Sequence, residues 1–157
     1  MPVQVVLYCP EIPPNTGNIA RLCAAMDIDL HLVEPLGFSL EDRYLKRAGL
    51  DYWPKVRLRI WPDWNAFLAN RPTGRLVASS SRRGLDCRTF SFQADDLLLF
   101  GPETSGLPEH VLENSAVAIR IPISSNVRSL NLSTAAGIIL YEALCQTKGR
   151  EFRDKSC

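Results

Sequence analysis

Short apolar and β-branched runs recur along the chain and predict the strands of a sheet. Their bounds are Val3–Tyr8, Leu30–Val33, Val56–Ile60, Arg75–Ser79, Leu97–Phe100 and Ala116–Ile121. Val56–Ile60 alternates apolar and basic side chains, which indicates a strand at an edge or with one exposed face. Leu97–Phe100 is apolar throughout, which is typical of a central strand buried on both faces.

Segments with helical spacing of apolar residues lie between these runs. The predicted helices are Asn18–Met26, Ser39–Ala48 with Ser39 as its cap, Asp63–Ala69 and His110–Asn114. Strands that alternate with helices predict an α/β fold with a largely parallel sheet flanked by helices. We expect the 157 residues to form one domain, because no repeat, linker or low-complexity segment divides them.

The segment Leu132–Leu144 is predicted to be a helix that is apolar on nearly every side. A single core-facing stripe does not hold all of its apolar residues. We therefore expect the helix to be covered on two sides, either by its own core and a partner subunit or by two layers of one domain. Ser129, Asn131 and Ser133 at its start are residue types that cap helices.

The composition, with 46% apolar and 22% charged residues, is that of a soluble globular protein. The net charge is only +1, yet arginine outnumbers lysine 14 to 4. Arginine suits bidentate contacts with phosphate, so the excess favours a phosphate-rich partner. A GC-rich coding sequence would produce the same bias.

Cysteine, histidine and hydropathy patterns limit the compartment and the cofactors. Five widely spaced cysteines without a CxxC pair argue against a disulfide framework or zinc site and favour a reducing compartment. His31 and His110 have no metal-ligand spacing, so no metal site is expected. The start of the chain lacks a basic targeting region and no apolar run approaches 18 residues. We expect a cytoplasmic protein without membrane contact.

Three irregular loops follow predicted strands and form the candidate site. They are Cys9–Gly17, in which three prolines are expected to exclude regular structure, Gly101–Pro108 and Pro122–Leu130. In parallel sheets, ligands bind beyond the carboxyl ends of the strands. Neither GxGxxG nor GxxxxGK[ST] occurs, which disfavours an ordinary Rossmann or P-loop nucleotide enzyme.

The residues in these loops resemble the three motifs of the SPOUT RNA methyltransferases, in the branch that methylates ribose 2′-hydroxyls. The matching segments are Asn15–Arg21 (NTGNIAR), Phe100–Pro108 (FGPETSGLP), and Ile121–Ile123 (IPI) with Ser129–Ser133 (SLNLS). Their order, spacing and strand context match, over almost the entire chain. Glu34–Phe38 (EPLGF), Arg47–Tyr52 (RAGLDY) and the short length are similar to the branch that acts on cytidine or uridine at the tRNA wobble position.

The resemblance implies a deep C-terminal trefoil knot, S-adenosylmethionine bound in the knot loops, a tRNA substrate, and a homodimer packed through the first and last helices. The dimer agrees with the two-sided apolar helix predicted above. Two alternatives stay open: methylation of another site in ribosomal or transfer RNA, and a non-catalytic RNA-binding module with the same fold.

The resemblance also assigns residues to the cofactor. Main-chain groups near Ser79, Gly101, Ile121 and Leu130 are expected to hold its adenine and ribose. Ser129 and Asn131 would shape its methionine end, or simply cap the helix. Gly101 and Gly106 would allow close backbone approach or a positive φ, or serve only a tight turn.

Arg21 is the predicted central catalytic residue. A guanidinium is a poor base, so we expect it to stabilise the developing alkoxide and anchor the adjacent phosphate. Asn15 and Asn18 would position Arg21 or the ribose. Glu103 would anchor an arginine or a group of the first motif, or form a structural ion pair. Candidate RNA contacts are Arg43, Lys46, Arg47, Lys55, Arg57, Arg59, Arg82 and Arg83.

Overall fold

The computed structural model describes residues 2–49 and 53–148, in which strands and helices alternate. The strands are β1 (Gln4–Tyr8), β2 (Leu30–Val33), β3 (Leu58–Trp61), β4 (Leu76–Ser79), β5 (Leu85–Asp86), β6 (Leu97–Phe100) and β7 (Val117–Arg120). The helices are α1 (Pro13–Met26), α2 (Arg43–Gly49), α3 (Trp64–Asn70), α4 (Glu109–Leu112) and α5 (Leu132–Thr147), with a 3-10 helix at Trp53–Lys55.

The strands form a seven-stranded sheet in the order β3-β2-β1-β6-β4-β7-β5, and each neighbouring pair is parallel. This confirms the predicted α/β class with a parallel sheet. The apolar strand β6 lies at the centre and is fully buried, whereas β3, with its alternating pattern, lies at an edge. Parallel pairing brings the carboxyl ends of β1, β4, β6 and β7 to one edge of the sheet.

Helices cover both faces of the sheet. Val5 and Leu7 of β1 point into a core that includes buried residues of α1 and α5. Val6 points to the opposite face, where α3 and α4 contribute buried residues. This alternation along one strand is the two-residue period of a strand that is covered on both sides.

The first helix begins at Pro13, so the prediction of irregular structure up to Gly17 is wrong. Pro13 and Pro14 occupy the first turn, where a backbone N–H has no partner within the helix and a fixed φ near −65° is already helical. The helix therefore includes Asn15 as well as the predicted Asn18–Met26, and it starts directly beside the carboxyl end of β1.

The predicted start of the second helix is wrong. The helix expected from Ser39 begins at Arg43, and the Asp42 carboxylate accepts the backbone N–H groups of Tyr44 and Leu45 at 2.8 and 3.2 Å. The Ser39 hydroxyl instead accepts the N–H of Glu41 in a turn. The two-residue strand β5 was not predicted. Leu50, Asp51 and Tyr52 of the wobble-branch segment lie outside the described residues.

Helix α5 is buried on one side only within this chain. Ala136, Ile139, Leu140, Ala143 and Leu144 are buried in the core that α1 also contacts. On its other side, Ile138 and Tyr141 are 42% and 62% exposed. The trefoil knot remains a prediction, since strand order and pairing do not trace the path of the chain through its loops. Within residues 2–49 and 53–148, no helix is long and apolar enough to cross a membrane.

Candidate active site

A cavity of about 670 Å³ lies at the carboxyl edge of the sheet. Its walls are the loops that follow β4, β6 and β7, together with the first turns of α1 and α5. The lining residues are Ile12, Asn15, Ser79–Arg82, Phe100–Gly106, Ile121, Ile123, Arg128–Leu132 and Ala135. The three loops singled out from the sequence therefore meet at one site.

The residues predicted to bind the cofactor all lie on this cavity. They are Ser79, Gly101, Gly106, Ile121, Ser129, Leu130 and Asn131. These residues lie at or after the carboxyl ends of β4, β6 and β7. They come together because parallel strands end at the same edge of the sheet. Their roles toward a cofactor remain predictions.

Two glycines shape the loop that follows β6. A Cβ on Gly101 would lie 2.5 Å from the backbone nitrogen of Leu107, because the loop folds back on itself there. Gly106 has φ +68°, a left-handed conformation that other residues rarely adopt, and its N–H donates to the carbonyl of Pro102 at 2.9 Å. Both glycines are needed for the tight turn that forms this wall.

Two glutamates tie this loop to the start of α1. The Glu103 carboxylate accepts the backbone N–H of Glu11 at 3.1 Å and that of Ile12, the N-cap residue of α1. In return, the Glu11 carboxylate accepts the backbone N–H and the hydroxyl of Thr104 at 3.0 and 2.7 Å. These bonds from Thr104 hold the pKa of Glu11 below its ordinary value. We call these four residues the glutamate clamp.

An amide pair ties α1 to α5. The Nδ2 of Asn131 donates to the Oδ1 of Asn15 at 3.0 Å. The Oδ1 of Asn131 accepts from the N–H of Ser133 at 2.9 Å and so caps α5. Asn15 is only 5% exposed, so its carbonyl oxygen depends on this partner. Asn131 is thus both a cap of α5, as predicted, and a cross-link to α1, which was not predicted.

The four predicted catalytic residues are divided by the structure. Asn15 and Glu103 lie on the cavity wall. Asn18 and Arg21 are exposed further along α1 and do not line the cavity of the single chain. Arg21 follows Asn15 by six residues, which is about 9 Å along a helix axis.

Glu11, Thr104 and Arg128 were not predicted to be functional residues. Glu11 and Thr104 act through a contact between residues 93 positions apart, which no local pattern indicates. Arg128 directly precedes Ser129 of the third motif, so its position was a usable signal. Within the described part of the chain, no group of three or more His, Cys, Asp and Glu side chains is placed to hold a metal ion.

A parallel sheet whose carboxyl-edge loops carry these three motifs around one cavity is the arrangement expected of an RNA methyltransferase. The model of the SpoU rRNA Methylase family matches residues 2–141, and the chain belongs to this family. The family membership confirms the resemblance found in the three loops.

Individual relatives are similar over nearly the whole chain. A protein of Methylovorus glucosotrophus named tRNA (cytidine(34)-2′-O)-methyltransferase is 49% identical over 142 residues, which cover 89% of this chain and 92% of the relative. A solved structure reported for the 2-OH methylation of C/U34 on tRNA is 49% identical, with a TM-score of 0.87 over 92% of this chain and 95% of its own. An AdoMet-bound rRNA methyltransferase from Sinorhizobium meliloti is 26% identical, with a TM-score of 0.84, and covers 91% of this chain and 56% of its own.

Proposed function

We propose that this protein methylates the ribose 2′-hydroxyl of cytidine or uridine at the wobble position of tRNA, with S-adenosylmethionine as methyl donor. The observation that carries the proposal is the convergence of the three motif loops on one cavity. The named activity of relatives with 49% identity and near-complete coverage supports the substrate and the position. A tRNA substrate also supports the expected cytoplasmic location.

The cavity fits the proposed cofactor. Its volume is within the ~300–1,000 Å³ usual for small-molecule sites. Hydroxyl and main-chain groups near Ser79 and Ser129 can bond polar parts of a nucleoside, and Ile121, Leu130 and Leu132 offer apolar contact to a base. S-adenosylmethionine, when bound, supplies an electrophilic methyl group on a sulfonium. The AdoMet in the Sinorhizobium relative supports the same choice.

The proposed catalytic residue is Arg21. Its guanidinium would stabilise the 2′-alkoxide as the hydroxyl loses its proton, and would hold the adjacent phosphate. Asn15, at the cavity wall, would orient the ribose. Asn18, one helical turn before Arg21, would position the guanidinium or the ribose.

The proposed assembly is a homodimer that packs through α1 and α5. The exposed apolar side chains Ile138 and Tyr141 on α5 support it, because they extend the two-sided apolar character of that helix to the surface. Arg21 lies on α1, so in a dimer its surroundings include the partner subunit. The active site is then completed only when two chains meet.

The test is methyl transfer. Purified protein should transfer labelled methyl from S-adenosylmethionine to bulk tRNA, with the label mapped to nucleotide 34. Arg21→Ala should abolish transfer while calorimetry shows cofactor affinity within about two-fold of wild type. Absence of cofactor binding would overturn the proposal. Cofactor binding with transfer only to another RNA position, or to none, would instead favour one of the two alternatives stated above.

A further inference from the structure

Four of the described arginines form ion pairs with carboxylates of this chain. Arg57 binds Asp27 and Asp29, Arg75 binds Asp96, Arg83 binds Glu109, and Arg88 binds Asp86. The guanidinium groups of Arg82 and Arg128 differ: among residues 2–49 and 53–148 they make no ion pair and no hydrogen bond. No carboxylate in the described part of the chain therefore pairs with either of these two positive charges.

Both of these arginines lie on the cavity wall and are exposed. Arg82 belongs to the loop after β4 and Arg128 to the loop after β7, and these strands are direct neighbours in the sheet. Their loops therefore leave the same edge side by side. The Ser80 hydroxyl accepts the backbone N–H groups of Arg82 and Arg83 at 3.2 and 3.3 Å, which holds the first loop in a defined turn.

We propose that Arg82 and Arg128 bind the RNA phosphates next to the target nucleotide as its ribose enters the cavity; this rests on the proposed function. A guanidinium presents two parallel N–H donors that match phosphate oxygens. Two guanidinium groups beside the opening of the cavity can bind the RNA backbone as it approaches the site. The ion pairs also make three of the predicted RNA contacts less available to phosphate, because Lys46, Arg57 and Arg83 bind carboxylates of this chain.

The carboxylate of a bound cofactor is the other anion that these arginines could meet. The two sources differ in what an alanine substitution does. Loss of a phosphate contact weakens RNA binding and lowers its salt dependence, and leaves cofactor affinity unchanged. Loss of a carboxylate contact weakens cofactor binding in the absence of RNA.

The experiment uses the full chain with Arg82→Ala, Arg128→Ala and the double substitution. Arg71→Ala is the control, since it removes one positive charge from the segment before β4, at the opposite edge of the sheet from the cavity, and Arg71 forms no ion pair among the described residues. We expect each single variant to weaken tRNA binding about 5- to 10-fold and to reduce the slope of log K against log salt by about 0.7. The cofactor affinity of each variant, and the tRNA affinity of Arg71→Ala, should stay within about two-fold of wild type. Arg82→Lys and Arg128→Lys should restore part of the loss, because they keep the charge.

Unchanged tRNA affinity and salt slope in the double variant would overturn the inference. An equal loss of tRNA affinity in Arg71→Ala would also overturn it, because the effect would then follow net charge alone. A matching loss of cofactor affinity would overturn it too, because it would assign the two arginines to the cofactor carboxylate. Binding is measured by tRNA fluorescence anisotropy and does not require methyl transfer. If wild type binds tRNA through these arginines but transfers no methyl group, the proposed function fails and the phosphate contacts stand.

Discussion

Glu11 and Glu103 lie 92 residues apart, and each carboxylate binds the backbone of the other's segment. Glu103 holds the N-terminus of α1, where a negative charge also interacts favourably with the helix dipole. Glu11 holds Thr104 in the loop that forms one wall of the cavity. The glutamate clamp therefore fixes the helix that carries Asn15 and Arg21 relative to the proposed cofactor loop.

The two glutamates should respond differently to an amide. Both bonds from Thr104 end on a single oxygen of Glu11, so Glu11→Gln can keep them. Glu103 uses both oxygens for two N–H groups, so Glu103→Gln sets an NH₂ group against a backbone donor. We expect Glu11→Gln to bind the cofactor within about two-fold of wild type and Glu103→Gln to bind about 10-fold more weakly. Calorimetry measures both, and urea unfolding should show a loss of about 1–3 kcal/mol for Glu103→Gln.

Glu113→Gln is the control for the loss of a carboxylate, because Glu113 is an exposed residue at the C-terminus of α4 and forms no hydrogen bond with the clamp residues. It should match wild type in both measurements. Equal effects of the substitutions at Glu11 and Glu103 would show that charge, and not the arrangement of acceptors, is what the clamp requires.

A second pair of substitutions separates the two contacts of Asn131. Asn131→Ser keeps a capping oxygen for α5 but cannot reach Asn15, whereas Asn131→Ala loses both contacts. The buried carbonyl of Asn15 then lacks its partner in either variant, at a cost of about 1–3 kcal/mol. Asn131→Ala should be less stable than Asn131→Ser by a further ~1 kcal/mol.

Cofactor affinity should fall equally in the two Asn131 variants, since both release Asn15. A double-mutant cycle with Asn15→Ala checks the cross-link: Asn131→Ser should cost little once Asn15 has been replaced. Additive costs for the two substitutions would show that the amides do not interact.

The sheet could be predicted from the sequence, because its strands are local apolar runs. The apolar composition of Leu97–Phe100 alone predicts a central strand, and the structure confirms it. Pro13 and Pro14 led to a wrong prediction, because proline breaks the interior of a helix but is compatible with its first turn. Leu85 of β5 is exposed in a two-residue strand, so it leaves no apolar pattern to detect.

Most residues that line the cavity could be predicted from the motif loops, but the hydrogen bonds that hold those loops together could not. The Asn131–Asn15 pair joins residues 116 positions apart, and a capping asparagine has the same sequence signal whether or not its NH₂ group is used. Arg82 and Arg83 are adjacent and look alike in the sequence, yet only Arg83 is paired, because α4 places Glu109 beside it. Such differences depend on tertiary placement.

The buried His31 predicts a pH dependence of stability. Trp61 donates its Nε1–H to His31 Nδ1 at 3.0 Å, so Nε2 carries the proton and donates to Gln4 Oε1 at 2.6 Å. Burial, and then the charge of Arg59, lower the pKa of His31 to about 4 from an ordinary value of 6.5. Below pH 6.5 the unfolded chain binds a proton that the folded chain does not, so the free energy of unfolding should fall as the pH falls toward 4. The loss attributable to His31 is of the order of 3 kcal/mol.

Urea unfolding between pH 7 and pH 4 measures this loss. His31→Asn should be less stable than wild type at pH 7 but should lose less stability on acidification. His110→Asn, which removes the exposed histidine, should keep the slope of wild type. If His31→Asn had the same pH slope as wild type, the loss would have to be assigned to other groups.

The proposed dimer predicts that a charge on the exposed side of α5 separates the subunits. Tyr141→Glu and Ile138→Glu place a carboxylate where an apolar side chain is 62% and 42% exposed in the single chain, so neither should impair folding of the monomer. Burial of an unpaired charge in an interface is strongly unfavourable, so sedimentation should show a monomer for either variant at micromolar concentration. Leu85→Glu, at an apolar residue 55% exposed on β5, is the matched control and should remain a dimer.

Methyl transfer should be lost with the dimer if α1 of the partner subunit completes the site. A monomeric variant with full activity would show instead that Arg21 acts within its own chain.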